Sequence, residues 1–195
     1  MNGCLRLLLI LVAVSSANAA FAHVPIVGVG GVSGGLLHPY LVPAHAMSLV
    51  ALGLFIGRQR EQGIALLAFA TALIAGLVAL TFAVGETLAG EVLLGNAAIV
   101  GILLAGAWIP PKPLTWIVAA VTGIAIALDS PPETTSIEET DLMLLGTGLG
   151  ALSALGAVVG GAGYLTRPWQ RLGVRIVGSW IAASAILVLA VTLAR

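Results

Sequence analysis

Long apolar runs, separated by short polar or proline-containing segments, dominate the hydrophobic pattern of the chain. About 20 apolar residues in a helix suffice to cross the hydrocarbon layer of a bilayer, and runs of this kind recur along the sequence. Beyond position 22 the pattern predicts an all-α, polytopic membrane helix bundle that forms one domain over 23–195. Its six predicted spans lie at about 26–56, 64–84, 92–109, 114–128, 142–165 and 174–194.

The first 22 residues have the layout of a cleavable signal peptide. Arg6 provides the positive charge, 7–14 form an apolar core that is too short to span a bilayer, and small residues follow. Both 17–19 and 20–22 fit a small-x-small cleavage pattern, and cleavage after position 22 would make His23 the N-terminus. The alternative is an uncleaved first membrane helix over 5–22.

Composition narrows the class of protein further. Apolar residues make up 59% of the chain and charged residues only 8%, and the mean hydropathy is +1.13. A soluble domain carries about a quarter charged residues, so this composition excludes a soluble enzyme. The formal net charge of zero offers no basic patch for a nucleic acid, and the single cysteine excludes a disulfide framework. No Ser/His arrangement or pair of intramembrane aspartates points to peptide hydrolysis, so the expected protein is not an enzyme.

The charges alternate between the predicted loops. The loops that follow spans one, three and five are basic, whereas those that follow spans two and four are acidic. Because Lys and Arg are retained on the cytoplasmic side, the odd-numbered loops are expected to face the cytoplasm of a bacterial-type inner membrane. The mature N-terminus and the C-terminus are then on the non-cytoplasmic side. The basic loops hold Arg58, Arg60, Lys112, Arg167 and Arg171, and the acidic loops hold Glu86, Glu91, Asp129, Glu133, Glu138, Glu139 and Asp141.

The first predicted span contains the most informative polar residues. Its start, 28–35, is rich in glycine, and Pro39 and Pro43 disfavour helical geometry in the residues before them. A broken or re-entrant segment is therefore predicted, a device that builds ion sites in transporters. His38 and His45 flank the break, so the two imidazoles either bind a transition metal together or each bond a carbonyl freed by the prolines.

Three further features carry predictions. Glu91, near the outer start of span three, is either a solvated carboxylate at a helix N-terminus or an acceptor for an incoming cation. Asn96 is expected to hydrogen-bond between helices, the commoner use of such a residue, or to line a path. Glycine pairs at four-residue spacing predict close helix packing of spans one and five, within the chain or against a partner. These pairs are Gly30/Gly34, Gly31/Gly35, Gly53/Gly57, Gly146/Gly150 and Gly156/Gly160.

The first span resembles the HupE/UreJ family of nickel/cobalt permease-like membrane proteins, which are often linked to hydrogenase or urease maturation. The resemblance is carried by His38-Pro39, by His45-Ala46-Met47 and by the apolar stretch 50–54. The six-span plan and the chain length are also similar. The sequence departs from the family pattern at one position and in one stretch. Ala44 stands where the family has an aspartate, and 121–127 lack the histidine motif of the family's fourth span.

The resemblance implies a transition-metal permease that moves nickel or cobalt, with no resident cofactor expected. Transition-metal sites gather three or four ligands, so His38 and His45 would be joined by His23, Glu91 or Met47. The alternative is a structural or assembly subunit that kept the fold without transport. Its glycine-rich faces would pack against a larger membrane protein complex or a homo-oligomer within the lipid bilayer.

Overall fold

The computed structural model of the protein describes residues 30–59, 61–82, 88–108, 111–132 and 136–194. Within these residues the chain is all-helical and contains no strand, as the hydrophobic pattern predicts. The predicted signal peptide and His23 lie outside the described residues. The seven helices are α1 (Gly31–Leu41), α2 (Pro43–Gly57), α3 (Gln62–Thr81), α4 (Ala89–Ala105), α5 (Lys112–Leu128), α6 (Ile137–Ala162) and α7 (Pro168–Leu193).

The predicted break in the first span lies at Val42, between α1 and α2. Val42 adopts an extended conformation (φ −78°, ψ 113°), as expected for a residue that precedes a proline. Pro43 then occupies the first turn of α2, where its missing N–H costs nothing. The two helix axes differ by 69°, so the chain changes direction sharply at this point.

Helix length and composition identify a membrane protein. Three of the described helices, α3, α6 and α7, are long and apolar enough to cross a bilayer, and the bent pair α1–α2 forms a fourth candidate span. The two remaining helices, α4 and α5, are apolar but shorter.

Two helices begin earlier than their apolar runs. Helix α6 begins at Ile137, five residues before the predicted start at 142, because the Ser136 hydroxyl caps it by accepting a bond from the Glu139 amide at 3.2 Å. Helix α7 begins at Pro168 rather than at 174. Hydropathy detects the membrane-facing turns of both helices but not these polar first turns.

Helix α4 ends before its predicted limit at 109. Ala107 has a positive φ of 55°, its amide donates to the carbonyl of Leu104, and the Trp108 amide donates to the carbonyl of Leu103, both at 3.1 Å. This pair of bonds is a Schellman motif, which ends a helix by turning one residue into the left-handed conformation.

Glycines bring the bent pair into close contact with α6. A Cβ atom at Gly146 would lie 2.2 Å from the Val32 carbonyl oxygen, and one at Gly150 would lie 2.3 Å from that of Leu36. Gly57 similarly leaves no room for a Cβ beside Ala162. The predicted packing of these glycine pairs is confirmed within the chain. By contrast, an added Cβ at Gly156 or Gly160 would meet nothing within 4 Å.

Two more pairs of helices, α3 with α5 and α4 with α7, also pack closely through glycines. Gly123 of α5 packs against the backbone of α3, where an added Cβ would lie 2.4 Å from the Phe69 carbonyl oxygen. Gly101 of α4 and Gly178 of α7 face each other. A Cβ atom added to Gly178 would lie 2.9 Å from the Gly101 carbonyl oxygen. Small residues therefore set the spacing between most of the packed helices.

The packing collects the described charges at two ends of the bundle. At the basic end, Gln59 donates to the Thr115 hydroxyl, Lys112 pairs with Glu61, and Arg175 donates to the Ala105 carbonyl. The acidic end joins the last turns of α3 and α5 to the first turns of α4 and α6. The described basic end carries Arg58, Lys112, Arg167, Arg171 and Arg175, and the described acidic end carries Glu91, Asp129, Glu138, Glu139 and Asp141.

Candidate metal centre

His45, in the first turn of α2, is the most deeply buried titratable side chain at the break. Its side chain is 0% exposed, and Nε2 lies 2.9 Å from Oδ2 of Asp129, which is 22% exposed. Asp129 caps the C-terminal end of α5, and its amide donates to the Ala125 carbonyl at 2.9 Å. The end of α5 therefore holds a carboxylate against an imidazole that the α1–α2 break directs into the bundle.

The chemistry of this pair determines which imidazole nitrogen is available. An ionised carboxylate only accepts hydrogen bonds, so Nε2 of His45 is the donor. In the neutral imidazole Nδ1 then carries the lone pair. Nδ1 is buried and has no hydrogen-bond partner within the described residues. A carboxylate that fixes the tautomer of a histidine in this way is the usual second contact of a metal-binding histidine.

His38 lies beside His45, on the other side of the break. The two ring centroids are 5.2 Å apart, with an angle of 67° between the ring planes. His38 occupies the last turn of α1, and its carbonyl accepts the Val42 amide at 3.1 Å. The break thus brings together two imidazoles that a straight helix would place two turns apart. The interpretation in which each imidazole bonds a freed carbonyl does not describe Nε2 of His45, whose partner is a carboxylate.

Asp129 also contacts the start of α4. A Cβ atom added to Gly90 would lie 3.1 Å from Oδ1 of Asp129. Glycine at this position therefore lets the carboxylate approach the first turn of α4, where the free amides of a helix favour negative charge. The carboxylate lies between the N-terminal end of one helix and the imidazole of another.

Asp129 is a residue of the candidate site that the sequence does not single out. The sequence places it among the charges of an acidic loop, because it follows the apolar run of α5 and precedes Ser130 and Pro131. The sequence signal that could single out Asp129 is its position directly at the end of an apolar helix, without a polar spacer. The pairing of this residue with His45 is a tertiary contact that no local pattern encodes.

Two of the other predicted ligands, Glu91 and Met47, lie within the described residues. Glu91 lies in the first turn of α4, which agrees with its interpretation as a carboxylate at a helix N-terminus. No described hydrogen bond or ion pair joins it to His38 or His45. Met47 is half-buried and packs against the hydrophobic core. His23 lies outside the described residues. Among the described residues, no group of three or more His, Cys, Asp or Glu side chains is arranged to hold a metal ion.

Asn96 takes the interhelical role predicted for it. The side chain is 7% exposed, and Nδ2 donates to Oγ1 of Thr122 at 2.7 Å and to the Val118 carbonyl at 3.1 Å. Thr122 in turn donates to the same Val118 carbonyl. These bonds join α4 to α5 inside the apolar bundle.

Comparisons with protein-family models, with curated proteins and with solved structures found no match for this chain.

Proposed function

We propose that the protein is a HupE/UreJ-like membrane permease for a divalent transition-metal cation of the nickel or cobalt class. The observation that carries the proposal is the pair of imidazoles at the α1–α2 break, whose ring centroids are 5.2 Å apart, with the buried one, His45, oriented by Asp129. Neutral imidazole is a suitable ligand for these ions. The cation is the cargo of the protein rather than a resident cofactor.

The arrangement suits a cation that binds and leaves. His45 offers Nδ1 as a lone-pair donor, because Nε2 is engaged with Asp129. The carboxylate supplies the negative charge that two neutral imidazoles lack, in a chain where Ala44 stands at the position of the family's aspartate. Two nitrogen ligands and a nearby charge form an incomplete coordination shell. Such a site would release its ion more readily than a closed site of four ligands.

The distribution of charge favours entry of the cation at the acidic end of the bundle. The acidic end, with Glu91 and Asp129, attracts cations, and the imidazole of His45 lies next to Asp129. In the proposed topology a cleaved signal peptide precedes six spans, and the acidic end faces the non-cytoplasmic side of a bacterial-type inner membrane. Inward movement of a divalent cation then gains about 4.6 kcal/mol per 100 mV of membrane potential.

Uptake measurements test the permease. Cells that express the protein are expected to accumulate radioactive nickel or cobalt, and His38→Ala and His45→Ala are each expected to reduce the initial rate at least tenfold. Asn96→Ala, which removes a buried polar side chain away from the imidazoles, is the matched control and is expected to retain uptake. Equal uptake by wild type and both histidine variants, at equal amounts in the membrane, would rule out the permease.

The second candidate is a structural or assembly subunit of a larger membrane complex. The observation in its favour is the face of α6 that contains Gly156 and Gly160, where an added Cβ would meet nothing within 4 Å. Purification in a mild detergent is then expected to recover a stoichiometric partner. Recovery of a single monodisperse species without a partner, together with histidine-dependent uptake, would favour the permease.

The proposed topology has its own test. Single cysteines introduced at Arg167 and Glu138 are expected to react with a membrane-impermeant maleimide from opposite sides of the inner membrane, in a background where Cys4 is replaced by serine. Position 138 should react in intact cells, and position 167 only after lysis. Labelling of both positions in intact cells would contradict the proposed topology.

A further inference from the structure

Three arginines lie at the basic end where α2 and α7 are in contact, and two of them, Arg171 and Arg175, are one helical turn apart on α7. Arg58 follows the last residue of α2, and Arg171 and Arg175 belong to the first two turns of α7. Burial, and then the positive charges of Arg171 and Arg175, lower the pKa of the Arg58 guanidinium below its usual range. The three guanidiniums, called the arginine cluster below, therefore concentrate positive charge at one place on this end of the bundle.

No carboxylate within the described residues pairs with the arginine cluster. The described ion pairs join Lys112 to Glu61 and His45 to Asp129, and neither pair includes a member of the arginine cluster. Arg175 is held in place because its Nε donates to the Ala105 carbonyl at 2.9 Å. That bond uses one of the five N–H donors of a guanidinium and leaves its charge unneutralised.

Exposed tryptophans place the arginine cluster at the depth of lipid headgroups. Trp169 is 66% exposed and Trp108 is 54% exposed. Trp169 lies two positions before Arg171, and Trp108 lies three positions after Ala105, whose carbonyl binds Arg175. Tryptophan is enriched at the membrane–water interface, and beyond these residues the helices are apolar. The unneutralised cationic charge is thus located where phospholipid phosphates lie.

We propose that the arginine cluster binds the phosphate group of an anionic phospholipid. A guanidinium presents parallel N–H donors that match the oxygens of a phosphate, and such charge-assisted bonds are short and strong. The lipid would bridge the end of α2 to the start of α7 and would neutralise part of the positive charge of the three arginines. A soluble phosphate offers the same oxygens but would not use the interfacial setting that the tryptophans mark.

Lipid binding to the purified full chain tests the proposal. The protein in a neutral detergent is titrated with phosphatidylglycerol or with zwitterionic phosphatidylcholine, and bound lipid is counted by native mass spectrometry. Wild type is expected to prefer phosphatidylglycerol. Arg171→Gln and Arg58→Gln are each expected to weaken its binding about tenfold, the usual effect of losing one charge-assisted contact. Because Arg171 is exposed, its variant is expected to fold even if the Arg58 variant does not.

Arg167→Gln is the matched control, since it removes the same charge from the same end but lies outside the arginine cluster. It is expected to bind phosphatidylglycerol as wild type does. If the Arg167 and Arg171 variants lost phosphatidylglycerol binding equally, the binding would depend only on the total positive charge of this end, and the proposal would be overturned. No preference for phosphatidylglycerol over phosphatidylcholine in wild type would also overturn it. Displacement of the lipid by millimolar inorganic phosphate would assign the site to a soluble anion instead.

Discussion

Nε2 of His45 and Oδ2 of Asp129 lie 2.9 Å apart, although 84 positions separate the two residues in the sequence. The contact joins the start of α2, directly after the break, to the end of α5. Because His45 is fully buried whereas Asp129 reaches the surface, the pair connects the interior of the bundle with its acidic end. In the proposed transport this contact orients the imidazole of His45.

The first prediction concerns the stability of this pair. Asp129→Ala removes the acceptor of the His45 Nε2–H group, which then lies buried without a partner, and such a group costs about 1–3 kcal/mol of unfolding free energy. Asp129→Asn keeps an oxygen that can accept the bond, so its loss should be smaller. Thermal unfolding in detergent measures both. Asp141→Ala, which removes an exposed acid from the same end, should leave the midpoint unchanged. A midpoint for Asp129→Ala equal to that of Asp141→Ala would contradict the structural role of the pair.

The second prediction compares two glycine pairs of identical spacing on α6. Gly146→Ala or Gly150→Ala forces a methyl group into the backbone of α1, at 2.2 Å and 2.3 Å from carbonyl oxygens. The two helices must separate, at a cost typical of overpacking, about 1–3 kcal/mol. Gly156→Ala and Gly160→Ala meet nothing within 4 Å and should be neutral or slightly stabilising in the isolated chain. Thermal unfolding of the four variants in detergent checks the ranking, and equal effects at all four positions would contradict it.

The same comparison shows what the sequence could and could not predict about the fold. The spacing of Gly146 and Gly150 is also that of Gly156 and Gly160, so the pattern identifies helix faces suited to close packing but not their partners. The break was predictable, because Pro43 constrains the backbone of Val42 locally. The start of α6 at Ile137 was not predicted, because a capping serine followed by two glutamates has the hydropathy of a loop.

The third prediction concerns the polar bond between α4 and α5. Asn96→Ala removes two hydrogen bonds inside an apolar bundle. Interhelical bonds of this kind contribute about 0.6 kcal/mol on average and up to about 1.7, so a loss of roughly 1 kcal/mol is expected in detergent unfolding. Thr122→Val should lose less, because Nδ2 of Asn96 keeps the Val118 carbonyl as its partner. A larger loss for Thr122→Val than for Asn96→Ala would contradict this ranking.

The candidate site was predictable only in part, for a related reason. The proximity of His38 and His45 depends on a break that the intervening prolines create, so local sequence carries it. The contribution of Asp129 depends on the packing of α5 beside α2 and α4, and on the absence of a Cβ at Gly90 that admits the carboxylate. Since α5 and α2 are far apart in the sequence, hydropathy, residue spacing and charge do not reveal that the two helices pack together.

The last prediction concerns the end of α4. Ala107 holds a left-handed conformation, φ 55°, which costs an L-residue with a Cβ about 1–2 kcal/mol relative to its ordinary conformations. Glycine adopts this conformation without that cost, so Ala107→Gly is expected to raise the unfolding free energy by about 1 kcal/mol. Ala75→Gly, at an exposed position inside α3, should lower it by a similar amount because glycine disfavours a helix interior. Opposite shifts of the unfolding midpoint would therefore support the Schellman motif at Ala107. A destabilised Ala107→Gly variant would show that α4 does not end at a left-handed residue.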